Sequence, residues 1–197
     1  MNPIVTLPSN PPRLFSFVGG DRGLWRIRSM DCLVGDPLPQ ARRLGVFAGE
    51  ASPGTSLASW KLDGITSNER YVNRAEKAAL TAKQEDLHRP AATYAALIPI
   101  RKNSAWWTST QDERRDVLEV QSRHIAIGLR YLPAIARRLH HCRDLTASQP
   151  FDFLTWFEYA PADETIFDGL LRELRASAEW AYVDRECDIR LVREVDG

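Results

Sequence analysis

The chain alternates between two hydrophobic periodicities, and that alternation limits its folds more than any other feature. Short apolar runs bounded by Gly, Pro and Asp give way repeatedly to segments in which apolar residues return at helical spacing. Between residues 14 and 50 the runs LFSFV and LWRIRSM are separated by GGDRG and followed by GDPLP, a pattern of short strands and turns. GEASPGTSLAS, residues 49–59, reads as a loop, and residues 60–65 as a strand. Val72, Ala75, Ala79, Leu80 and Leu87 predict a helix within residues 68–89, ended by Pro90. YAALIPIR, residues 94–101, predicts a strand whose proline places it at an edge or a bulge.

Ser109 or Thr110 is positioned to cap the next helix, because Asp112 and Glu113 follow in its first turn. That pattern runs through Val117, Leu118, His124, Ile125, Leu129 and Leu132, and Pro133 is expected to kink it before a further helical piece at residues 135–141. FDFLTWFEY, residues 151–159, has strand composition. Phe167, Leu170, Leu171 and Leu174 mark an amphipathic helix, and WAYV and DIRLV close the chain as one or two strands. Strands interleaved with helices predict an α+β fold of ferredoxin-like units, with a sheet on one side and helices on the other.

Composition narrows the partners. Lys plus Arg and Asp plus Glu each number 26, so the formal net charge is zero. A nucleic-acid footprint or a polybasic membrane anchor needs an excess of positive charge; a few cations inside a pocket do not. The N-terminal residues 1–13 lack the apolar core and cleavage site of a signal peptide, and their prolines predict an extended arm. No run reaches the roughly 20 apolar residues of a membrane helix, so a soluble, cytoplasmic protein is expected. Cys32, Cys142 and Cys187 are odd in number and far apart, which suggests reduced thiols rather than a disulfide framework or a metal motif.

Three residues stand out as chemistry-bearing candidates. His124 lies among Val117, Val120, Ile127, Gly128 and Tyr131, on a helix face that looks buried. A hydrogen-bonded core histidine is the commoner reason for such a residue. If it is a ligand, the absence of a second His at i+4 or a nearby Cys disfavours zinc and suits a cofactor that takes one axial imidazole. Glu158 shares a strand face with Asp152, Leu154 and Trp156, so its carboxylate needs a partner: an arginine, or the ring N–H of a ligating histidine. Arg137 follows His124 by thirteen positions, about 220° and about 20 Å along a continuous helix, so the two meet only if Pro133 turns the chain. With Arg138 beside it, a surface position is as good a reading. His88, His140 and His141 all fall at predicted helix ends, where a capping role suffices.

The blocks NERYVNRAEKAAL, AALIPIRKNSAWW, TQDERRDVLEVQSRHIAIGLRYLPAIARRLHHCRDL, FDFLTWFEYAP and YVDRECDIRLVR, in that order, resemble the chlorite dismutase family, specifically its short, cytosolic branch, from about Phe15 to Arg193. The resemblance implies two ferredoxin-like halves, residues 14–90 and 91–197, forming an α+β barrel with the first half trimmed, and a homodimer with one haem b per subunit. It implies His124 as the proximal iron ligand, Arg137 as the distal arginine and Glu158 as the carboxylate that bonds the imidazole. Tyr71, Lys102, Trp106 and Trp107 fall in blocks associated with the haem surroundings and propionates. The implied reaction converts chlorite to chloride and dioxygen through a ferryl haem and transient hypochlorite. Peroxidase-like chemistry and a non-catalytic, haem-binding or haem-sensing dimer are the alternatives. The family's coproheme-decarboxylating relatives typically lack the distal arginine, so Arg137 favours chlorite.

Overall fold

The computed structural model describes residues 12–51, 58–146 and 148–194. Most of the N-terminal arm and the centre of the Gly/Ser/Pro loop lie outside the described residues. Eight strands among them close into an antiparallel barrel: β1 (Leu14–Gly20), β2 (Trp25–Val34), β3 (Arg43–Ala48), β4 (Ala58–Thr66), β5 (Tyr94–Lys102), β6 (Ala136–His141), β7 (Phe153–Tyr159) and β8 (Val183–Arg193). Around the barrel they run β1-β3-β2-β8-β5-β7-β6-β4, with β4 returning to pair with β1. The same order therefore occurs twice, as β4-β1-β3-β2 and as β8-β5-β7-β6.

Helices α1 (Arg74–Lys83), α2 (Ser104–Thr108), α3 (Gln111–Arg115), α4 (His124–Arg130) and α5 (Glu164–Arg175) complete the chain, with a π-helical turn at Asp116–Gln121. None is long and apolar enough to cross a membrane. Strand alternation divides the buried residues into two layers. Phe17, Trp25, Leu44, Leu97, Leu154 and Trp156 fill the barrel interior. Ile98, Phe157, Tyr159, Phe167, Leu170 and Leu171 form an outer core, where the apolar stripe of α5 packs on the wall of β5 and β7.

The structure departs from the sequence reading at several elements. The piece at residues 135–141, expected to be helical, is strand β6, paired with β7 from Ala136↔Glu158 to His141↔Phe153. Its residues suit a helix, but barrel closure between β7 and β4 supplies hydrogen bonds on both sides that outweigh local preference. His140 and His141 are accordingly buried strand residues, not helix caps. The long helix breaks at Arg123, whose φ of 55° is left-handed, as well as ahead of Pro133, where α4 ends at Arg130. Helix α1 is shorter than residues 68–89 because Asn73 and Glu76 close a capping box at its start and Gln84 is already extended. Pro99 occupies no edge: β5 pairs with β7 and β8, and the β8 register passes over Ile98 and Pro99, so the missing N–H is tolerated inside the wall. Residues 178–182 make a 3-10 turn ahead of β8, not a strand. Thr110 is the N-cap of α3 as expected, with Asp112 and Glu113 in the first turn and the Thr110 N–H donating to the Glu113 carboxylate.

Candidate active site

A cavity lies between the outer face of β5, β6 and β7 and the surrounding helices. Strand periodicity selects its wall. Ile98, Ile100 and Lys102 of β5, Phe153, Thr155 and Phe157 of β7, and Arg137 and Leu139 of β6 face it, and the intervening residues of β7 face the barrel interior. Its lining is mostly apolar with a few polar groups.

His124 opens α4, directly after the left-handed turn at Arg123, and lines this cavity with its side chain 34% exposed. Its Nδ1 lies 2.6 Å from Oε2 of Glu179, whose other oxygen, Oε1, accepts from Lys102 Nζ at 2.7 Å. The Glu179 backbone N–H donates to Ser122 Oγ at 2.8 Å, which ties the 3-10 turn to the residue before Arg123. Burial opposes ionisation of Glu179, but the charges of His124 and Lys102 and their hydrogen bonds prevail and hold its pKa at about 2. The ionised carboxylate engages His124 through Nδ1 and leaves Nε2 without a hydrogen-bond partner among the described residues. Lys102 is enclosed by aromatic rings, 4.7 Å from the Trp106 centroid and 5.6 Å from that of Trp180.

Arg137 is on the same cavity wall. Among the described residues its guanidinium meets no carboxylate and no hydrogen-bond acceptor; only its carbonyl is engaged, by Gln84 Nε2 at 3.2 Å. Burial lowers its pKa, and an arginine still carries its charge at neutral pH. The neighbouring Arg138 points into the barrel, 4.3 Å from the Phe15 ring, as strand alternation requires. His124 and Arg137, which an unbroken helix would keep apart, are thus brought to one cavity because residues 131–135 turn the chain from helix α4 into strand β6.

Glu158 is elsewhere. It is fully buried on the interior face of β7, where Oε1 accepts from Trp156 Nε1 at 2.9 Å and Oε2 from the His88 backbone N–H at 2.5 Å. The carboxylate that bonds His124 is Glu179, because Phe157 and Phe153, not Glu158, face the cavity from β7. Tyr71 and Trp106 do line it, ring centroids 6.2 Å apart and edge to face. The Tyr71 hydroxyl and Trp106 Nε1 are buried with no partner among the described residues. Lys102 also lines it, but its ammonium is committed to Glu179. Trp107 is set one layer back: it stacks on Phe153 at 6.1 Å and donates from Nε1 to Asp152 at 3.1 Å.

Sequence reasoning passed over Glu179 and Glu119. The only sign of Glu179 was a carboxylate within the aromatic segment AEWAYV, and a 3-10 turn has no periodicity from which its direction could be read. Glu119, half-buried on the π-turn, accepts from the Ile125 N–H at 2.9 Å, and burial raises its pKa. Together the site offers one free imidazole nitrogen backed by an anion, one unpaired cation and two orphaned donors in an apolar cavity. That set suits a flat cofactor with one axial imidazole and a small anion beside it.

The chlorite dismutase family model matches residues 47–195. The chlorite dismutase of Ideonella dechloratans is 30% identical over 130 residues, 61% of this chain, and the chain spans 40% of the length of that relative. The crystal structure of dimeric chlorite dismutases from Nitrobacter winogradskyi is 53% identical, with a TM-score of 0.84, covering 91% of this chain and 99% of that one. The structure of chlorite dismutase from Candidatus Nitrospira defluvii in complex with imidazole, 18% identical with a TM-score of 0.63, covers 93% of this chain and 92% of that one and shares the fold.

Proposed function

The chain belongs to the chlorite dismutase family, and from that premise we propose that it is a haem b enzyme converting chlorite to chloride and dioxygen. The observation that carries this reading is the Arg137 guanidinium, charged and without a partner among the described residues, in the same apolar cavity as the free Nε2 of His124. A half-buried cation without a counter-ion in a mostly apolar cavity is suited to holding an anion there.

The residues present suit haem. His124 Nε2 would hold the iron, and the orphaned Tyr71 hydroxyl and Trp106 N–H are donors suited to the anionic edge of the macrocycle. When bound, haem supplies the redox-active iron at which the chlorine–oxygen bond is cleaved and the oxygen–oxygen bond is made. Glu179 keeps the proton on His124 Nδ1 and strengthens the imidazole as a donor, and Lys102 keeps Glu179 ionised. Arg137 does not serve as an acid, because it keeps its proton at neutral pH. Its work is electrostatic: it draws chlorite into a cavity whose apolar walls strengthen the attraction, and it retains the hypochlorite fragment until dioxygen is complete.

We assign the barrel to two ferredoxin-like halves, residues 14–90 and 91–197, after an arm at residues 1–13. The twice-repeated strand order supports this division, as does the βαββαβ succession of the second half. The first half joins β1 to β2 and β2 to β3 without helices, the trimming expected of the short branch. Its exposed Leu24, Leu33 and Phe47 support a homodimer, the state of the Nitrobacter winogradskyi relative. The protein is assigned to the cytoplasm, with no nucleic-acid or membrane partner.

Arg137→Ala tests the electrostatic role. The variant is expected to keep its haem, release more hypochlorite to a chemical trap and lose activity sooner than the parent; equal trapping from both proteins would remove the role.

A further inference from the structure

The three cysteines, unremarkable in sequence, are not independent in the fold. Strands β2 and β8 pair so that Cys32 stands directly opposite Cys187. Residues so placed in an antiparallel ladder have Cα atoms about 4.5–5.5 Å apart and side chains on one face, within the range of about 4.4–6.8 Å that a disulfide spans. The ladder shifts register immediately after Cys32, which gives β2 local freedom to adjust. We propose that Cys32 and Cys187 are a cross-strand dithiol that hypochlorous acid, or another hypohalous acid, oxidises to a disulfide: a modification site in the barrel wall, apart from the cavity of His124.

The two thiols differ in the way such a reaction needs. Cys32 is only partly buried, its Sγ 2.7 Å from the Gly35 carbonyl at the turn that ends β2, so dissolved oxidant meets it first. Cys187 is 1% exposed. Burial, with the adjacent Cys32 thiol adding to it, pushes the Cys187 pKa up to about 11, so it stays protonated and reacts second. In the first step the Cys32 sulfur takes chlorine from hypochlorous acid, giving a sulfenyl chloride and water. In the second the Cys187 sulfur displaces chloride from Cys32, the sulfur–sulfur bond forms, and the Cys187 proton leaves with the chloride as hydrochloric acid. Two thiols lose one electron each, and chlorine at the hypochlorite level is reduced to chloride. Neither cysteine lines the cavity. Cys142 has no cysteine opposite it and is 2% exposed, so it serves as an internal control.

The oxidant class is the one the proposed chlorite reaction passes through, so the test adds the reagent directly to haem-loaded protein without chlorite, and its outcome is independent of turnover. After one equivalent of hypochlorous acid, denaturation and alkylation, mass spectrometry should find the Cys32 and Cys187 peptides joined and only Cys142 alkylated. In Cys32→Ser, Cys187 should remain fully alkylated after the same treatment. Three alkylated thiols in the parent, or Cys32 carrying added oxygen beside an alkylated Cys187, would overturn the pairing. Oxidation of Cys187 in Cys32→Ser at the parent's rate would overturn the order of attack.

Discussion

Two buried glutamates divide the labour at the residue scale. Glu158 stands on the interior face of β7 and holds the Trp156 and His88 N–H groups; Glu179 lies between His124 and Lys102. Period-two reading of FDFLTWFEY placed Glu158 correctly with Leu154 and Trp156, and that face turned out to be the one away from the cavity. The partner of the histidine was illegible because it comes from a turn 55 residues away. Glu179→Gln is expected to lower haem affinity by about 10- to 100-fold and to raise the haem reduction potential. Glu158→Gln is expected to leave both unchanged and to cost about 1–3 kcal/mol of stability, read in denaturant titrations. The pair of variants exchanges outcomes if the assignment is reversed. Acid titration gives a second readout of Glu179. With a folded pKa of about 2, below the ordinary carboxylate value of 4.5, it contributes stability above pH 4.5 that is lost as the pH falls toward 2. Glu179→Gln should flatten that part of the acid-unfolding curve, and an unchanged curve would detach Glu179 from it.

Elements decide which side chains meet. Helix α4 begins at His124 only because Arg123 takes a left-handed conformation after the π-turn, and Ser122 and Glu119, both ahead of the break, accept from the Glu179 and Ile125 N–H groups. Arg123 is exposed, so its backbone conformation can be tested without disturbing packing. Arg123→Gly should keep or slightly raise stability, whereas β-branched Arg123→Val should cost about 1–2 kcal/mol and loosen haem retention, followed by thermal melts and haem-transfer rates. Equal effects of the two variants would mean that the turn does not set the histidine. The strands flanked by Gly and Pro, the N-cap of α3 and the stripe of α5 were legible because local chemistry and tertiary context agree there. Strand β6 was not. ARRLHH has the composition of a helix and becomes a strand through pairing with β7 and β4, which are remote in sequence. That misreading also hid the route by which Arg137 reaches the cavity, since strand alternation separates it from Arg138.

At the scale of the whole molecule the closed barrel gives one wall two functions. Its interior face packs the core, and its outer face on β5, β6 and β7 carries the cavity, so a helix layer over that half suffices to enclose a ligand. Zero net charge is compatible with anion chemistry because the site depends on one arginine rather than on the overall field. The sequence blocks were enough for the family. The position of the cavity, and with it the identity of the carboxylate behind His124, follows only from barrel closure. The central claim, that this cavity turns chlorite into chloride and dioxygen, is tested most directly with an oxygen electrode on purified, haem-loaded protein. Addition of chlorite should release one dioxygen per chlorite consumed, and His124→Ala, deprived of its iron ligand, should release none. A flat trace from protein whose haem turns over peroxide and a reducing dye would contradict the claim and identify a peroxidase instead.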